Sequence, residues 1–220
     1  MLPSLEIVCP LPREDGAVDL HPSGTSVLKN RERDMEYRQR NYPLFSACGL
    51  NCGLCPRYQM NGVSKCPGCC GKEFLLKHPT CGVLSCSQRK GFEYCYECGE
   101  YPCKKYDGAD RVDSFITHLN RFSDLEKAKT LGIDVYRGEL DQKISILETL
   151  LANYNDGRRK GFFCLAVNLL ELEDVEHVLA QIESETQPGQ SVKEKAARAV
   201  RLFQEMGEQR NLTLKLRKKV

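Results

Sequence analysis

The chain has 220 residues, 28% of them charged, with a formal net charge of +2 and a mean hydropathy of −0.45. Its longest apolar run, Gly161 to Leu170, is too short for a bilayer span of about 20 residues. The small net charge excludes a global drive toward nucleic acid or membrane.

Residues 1–45 are expected to form an N-terminal arm and a short helix. Residues 1–28 contain four prolines and two glycines among scattered hydrophobes, the composition of irregular chain. Cys9 stands alone there. Lys29 to Arg40 is charged and free of Gly and Pro, so an exposed helix ending before Pro43 is expected, its alternating charges forming a solvated face. Residues 1–30 show no basic segment followed by a continuous apolar one, so no secretory signal is expected. The expected location is therefore cytoplasmic, in a reducing compartment where structural disulfides are rare.

Residues 46–106 are expected to form a cysteine-rich metal-binding domain of knuckles and short strands. Eleven of the thirteen cysteines fall within 48–103. Cys66-Pro67-Gly68-Cys69 and Cys95-Tyr96-Glu97-Cys98 have the spacing that lets one tight turn aim two sulfurs at one ion. The segment is also poor in aliphatics, with Phe74-Leu75-Leu76 and Val83-Leu84 its only sizeable clusters. A region this small cannot bury enough apolar surface to fold alone. Metal ligation, worth about 10–16 kcal/mol per structural zinc, would supply the missing stability.

The candidate ligands are Cys48, Cys52, Cys55, Cys66, Cys69, Cys81, Cys86, Cys95, Cys98 and Cys103. Ten thiolates fill two four-coordinate zinc sites and leave two over. Cys66/Cys69 and Cys95/Cys98 suit one ribbon-like site. The second would draw on four of the other six, and sequence does not decide which. Cys70, beside Cys69, leaves the same turn in another direction and is excluded. The spacing Cys48-x3-Cys52-x2-Cys55 also serves [4Fe–4S] clusters in radical S-adenosylmethionine enzymes. Those enzymes need a barrel of alternating strands and helices that does not follow here, but an iron–sulfur cluster as such stays open beside zinc. Between residues 48 and 105 eight basic residues face four acids. That excess would balance two four-thiolate zinc centres, each about −2, so a nucleic-acid footprint is not favoured.

Residues 107–220 are expected to form an α-helical module. Ser123 and Glu126 have capping-box spacing and would open a helix ending at Gly132. Leu140, Ile144, Leu147 and Leu151 form one stripe on a helix from about 139 to 153, ended by Asn155-Asp156-Gly157. Phe163, Val167 and Leu170 make the next stripe; Leu172, Val175, Leu179 and Ile182 another. Ser191 and Glu194 form a second capping box ahead of Val192, Ala196, Val200 and Phe203. Leu212, Leu214 and Leu216 alternate as in a C-terminal strand or a frayed extension. Cys164 suits a buried small hydrophobe. His118 is expected on a helix and His177 among exposed acids. His78 alone is near the block, and His21 is in the arm. No Ser/His/Asp pattern, phosphate loop or H-E-x-x-H motif occurs, so no catalytic residue is assigned.

Cys48-Gly49-Leu50-Asn51-Cys52-Gly53-Leu54-Cys55-Pro56 resembles the opening motif of the largely prokaryotic domain of unknown function 3795 family. Lys65 to Cys69, Cys81 to Cys86, and Cys95-x2-Cys98-Gly99-Glu100-Tyr101-Pro102-Cys103 follow in that family's order. Tyr154 to Arg158 is similar to longer members. The resemblance implies a cytoplasmic, zinc-binding protein without assigned activity, and it carries over no catalytic residue. The combined expectation is a mostly α protein holding two zinc ions in a structural or interaction platform for a protein partner. The alternatives are an iron–sulfur redox or electron-transfer protein and a thiol-dependent enzyme or regulator using Cys70.

Overall fold

The computed structural model describes residues 38–108 and 111–218. The arm, Cys9, His21 and most of the helix expected at 29–40 lie outside them. Arg38, Gln39 and Arg40 are not helical. Seven α-helices are present among the described residues: α1 Phe74–Lys77, α2 Gly82–Arg89, α3 Arg121–Leu131, α4 Ile133–Asn153, α5 Lys160–Leu169, α6 Leu172–Glu185 and α7 Val192–Gln209. Three 3-10 turns punctuate the cysteine-rich part, at Cys52–Leu54, Cys95–Glu97 and Lys104–Tyr106. The short strands expected there are not found among the described residues. Turns and two helices take their place, with α2 burying Leu84.

The long helix α4 is the hub. It packs against α3, α5, α6 and the Cys52–Leu54 turn. Its stripe is buried as expected at Leu140, Ile144 and Leu147, and Leu150 replaces Leu151 as the deepest residue of the last turn. Each such leucine contributes about 2 kcal/mol when fully removed from water. The helix begins at Ile133 rather than near 139, because Gly132, at φ 95, ends α3 and opens α4 without a spacer. Ser123 is not a cap. Helix α3 starts two residues earlier, and the Ser123 hydroxyl donates back to the Asn120 carbonyl at 2.8 Å. The second capping box forms as the sequence predicts. The Glu194 amide donates to Ser191 Oγ, and the Ser191 amide donates to Glu194 Oε2.

The alternating tail is not a strand. Leu212 and Leu214 pack against the core from irregular backbone. The Arg217 guanidinium is paired with Asp113 at 2.7 Å. Alternation here places leucines against helices without a neighbouring strand. His118 lies in the irregular segment before α3, where its amide donates to Asp113, and not on a helix.

One apolar core joins the cysteine-rich part to the helices. Phe45, Leu54 and Tyr94 are buried in the same cluster as Leu125, Leu147, Phe163 and Phe203. The contact is close at Gly49, whose φ is 90. A Cβ there would collide with the Arg121 carbonyl oxygen and the Leu125 side chain. Gly49→Ala is accordingly expected to cost about 1–3 kcal/mol by overpacking, plus the strain of a left-handed residue. It should lower the midpoint of urea denaturation with an unchanged slope. A midpoint equal to that of the parent protein would mean that this contact yields freely.

Candidate metal centre

The ten candidate thiols line two separate cavities. The larger, of about 130 Å³, is bounded by Cys48, Cys52, Cys55, Cys66, Cys69 and Cys81, together with His78. The 3-10 turn after Asn51 is closed by the Cys55 amide donating to the Cys52 carbonyl at 3.1 Å. The Cys69 amide donates to the Pro43 carbonyl at 2.8 Å, which fixes the second turn. Gly68, at φ 82, is required in that turn, since a Cβ would meet the same Pro43 carbonyl. Burial first, then the thiols of Cys69, Cys48, Cys55 and Cys66, push the Cys52 thiol well above its ordinary value. Those four thiols are thus within electrostatic reach of Cys52. Burial pushes Cys69 up to about 12, with the Arg40 guanidinium opposing and Cys48 and Cys81 adding. His78 stacks on Phe74 at 4.6 Å, and its Nδ1 lies 2.8 Å from the Pro79 carbonyl.

The smaller cavity, of about 30 Å³, is lined by Cys86 from α2 and by Cys95, Cys98 and Cys103 from the turns that follow. Burial pushes the Cys95 thiol up to about 11, opposed by the Tyr106 hydroxyl and reinforced by Cys48, Cys103 and Cys86. Cys48 is therefore felt in both cavities. Lys90 Nζ lies 3.7 Å from Cys98 Sγ and 2.8 Å from Glu100 Oε1, so one cation serves a thiol and a carboxylate.

This grouping differs from the ribbon-like site expected from spacing. Cys66 and Cys69 belong with Cys48, Cys52, Cys55 and Cys81, while Cys95 and Cys98 belong with Cys86 and Cys103. Helix α2 begins beside Cys81, carries Cys86 to the second pair, and so separates the sets. Cys70 lines neither cavity. It is 2% exposed, at φ 57, with its thiol against the Arg38 carbonyl at 3.3 Å. Cys164 is buried on α5, and burial pushes its thiol up to about 12.

All twelve described cysteines are free thiols. Among the described residues no three His, Cys, Asp or Glu groups are already drawn to ligating positions. The donor set still fits a thiophilic metal. Each cavity offers at least four sulfur donors, and burial makes uncompensated thiolates costly there. The buried Tyr106 hydroxyl faces the Cys95 thiol. A thiolate at Cys95 would provide its acceptor.

The sequence did not reveal Arg40 as part of this site. It is 4% exposed, bonded to the Phe45 carbonyl at 2.7 Å and to Glu93 at 2.9 Å, and set over the Tyr94 ring. Its place in a charge-rich run made it look like surface. No helix among the described residues is long and apolar enough to cross a membrane. No curated protein and no solved structure matches the chain. Residues 44–108, which carry all ten of the cavity thiols, match the family described as Protein of unknown function (DUF3795).

Proposed function

We propose that this protein binds metal through two thiolate centres that hold residues 46–106 rigid as a platform for a protein partner. The observation that carries the reading is the division of ten thiols into one set of six and one set of four, each around its own cavity. Cys86, Cys95, Cys98 and Cys103 would hold a single zinc ion, which takes four ligands in a closed structural site. Such an ion supplies cross-linking and charge compensation and no redox chemistry. Exposed Leu75 and Leu76 on α1, next to the six-thiol set in the chain, support a contact surface.

The six-thiol cavity favours a second reading for that site. It offers two donors more than one zinc needs and about 130 Å³ against about 30 Å³. Its Cys48-x3-Cys52-x2-Cys55 spacing also serves four-iron clusters. Electron transfer is the activity that would follow. A Cys70 enzyme gains no support, since a reactive thiol must be reachable and Cys70 is enclosed, with burial pushing its thiol up.

Metal analysis and a visible spectrum on anaerobically purified protein test this. Two zinc equivalents without colour are expected for the platform. Absorption near about 400 nm that Cys52→Ser abolishes would put a cluster in the larger cavity. Metal content of one equivalent or fewer, with metal supplied, overturns the two-centre reading. Cys70→Ser should keep full metal content.

A further inference from the structure

A second kind of cleft among the described residues is not thiol-lined. It occupies about 510 Å³ between α3, α4, the α5–α6 junction and the segment after α7. Asn120, Asp124, Lys143, Asn168, Glu171 and the Asp174–Arg210 pair line it. None of these residues was singled out by sequence as a site, because their spacing follows no motif. Asp174 in particular falls among Glu173, Glu176 and His177, an exposed stretch by pattern, yet it is 5% exposed and paired with Arg210.

The floor of this cleft is built from side-chain hydrogen bonds. Asn51 Nδ2 donates to Asp124 Oδ2 at 2.9 Å, and Asn120 Nδ2 donates to the same oxygen at 2.6 Å. Asn51 Nδ2 also donates to Asn168 Oδ1 at 3.0 Å, and the Tyr136 hydroxyl donates to Asn51 Oδ1 at 2.9 Å. Both amides thus share one carboxylate oxygen, and the Tyr136 hydroxyl also neighbours the Asp124 carboxyl. Lys143 Nζ donates to the Leu170 carbonyl at 2.6 Å. Among the described residues no ion pair joins Lys143 to Asp124. A network whose only role was to tie α3, α4 and α5 together would pair its two central charges or do without them, since buried unpaired charge is costly. Here burial pushes the Asp124 carboxyl up to about 7 and lowers Lys143, with each group partly countering the other's shift. Perturbed groups of opposite sign in one cleft are a mark of ligand sites.

We propose that this cleft binds a small zwitterion, a free α-amino acid, with its ammonium on Asp124 and its carboxylate on Lys143. The charge of the lining argues against a phosphate or nucleotide. Four acids, Asp124, Glu171, Glu173 and Asp174, face two bases, Lys143 and Arg210, and Arg210 is consumed by Asp174 through three hydrogen bonds. The absence of any aromatic side chain from the lining argues against a sugar, which such rings would stack on. Leu119, Leu169 and Leu212 offer an apolar wall for an amino-acid side chain. The site stands independently of the metal reading, although Asn51 lies beside Cys52 in the chain.

Calorimetric titration of the full chain, purified with its metal content intact, with each standard α-amino acid tests the proposal. At least one should bind with a Kd of about 1 mM or tighter and raise Tm. Asp124→Asn, which keeps an acceptor for both amides, and Lys143→Met should each weaken that binding about tenfold or more. Circular dichroism and metal content would confirm that the variants fold, and Ser184→Ala at the other end of α6 from Asp174 should bind as the parent does. No heat and no melting shift with any amino acid overturns the proposal. So does binding that survives both substitutions, or equal binding of simple amines lacking a carboxylate. Loss of metal without loss of amino-acid binding would leave this site standing and the metal reading to be judged alone.

Discussion

Removing metal with a strong chelator is expected to unfold the helices together with the cysteine-rich region, in one transition. The two parts have different compositions, but Phe45, Leu54 and Tyr94 sit in the same core as Leu147, Phe163 and Phe203. Magnitude decides the outcome. A structural zinc contributes about 10–16 kcal/mol, while the net stability of a domain is only about 5–15 kcal/mol. Losing even one centre would therefore exceed what the shared core holds in reserve. Far-UV circular dichroism and tyrosine fluorescence, followed during chelation, should change with coincident midpoints. Helical signal that stays unchanged while metal leaves would show that α3 to α7 stand without it, and would set a boundary near residue 106. Helical signal retained with no metal present from the start would remove the platform's structural rationale.

Arg40→Ala is expected to destabilise the protein by about 3 kcal/mol, near the lower end of what breaking a buried charge pair costs. The guanidinium donates to the Phe45 carbonyl at 2.7 Å, to Glu93 Oε1 at 2.9 Å and to the Glu93 carbonyl at 3.3 Å. It also lies 4.8 Å from the centre of the Tyr94 ring, and its amide donates to the Cys70 carbonyl. Alanine would strand the Phe45 carbonyl, whereas Glu93, 35% exposed, could rehydrate, and this holds the cost to the lower end. Lys at this position would keep the charge but lose the planar fork and its stacking, so it should recover only part of the loss. Urea denaturation monitored at equal metal content checks this. A change below about 1 kcal/mol would mean that water replaces the guanidinium, as at an ordinary surface pair.

Periodicity alone determined much of the helical part. Leu140, Ile144 and Leu147 recur at helical spacing, and that spacing leaves one apolar stripe whatever the tertiary context. Ser191 and Glu194 are a local device, three residues apart, and they form as their chemistry dictates. The cysteines, glycines and prolines also identified the family segment, because its tight turns place those residues at close range in the sequence. Which thiols share a cavity was not legible. That depends on where α2 carries Cys86, and nothing in a two-residue spacing encodes the partner of a pair. The same applies to Asp124, Lys143, Asn51 and Asn168, which lie up to 117 residues apart and converge only when α3, α4 and α5 pack. Arg40 and Asp174 were misplaced on the surface for the complementary reason: charge marks a residue as exposed only until the fold brings it a partner, Glu93 for one and Arg210 for the other. Local periodicity and turn chemistry act within a few residues and are written in the sequence; burial of charge and the assembly of the two cavities and the cleft are long-range events that tertiary packing alone decided.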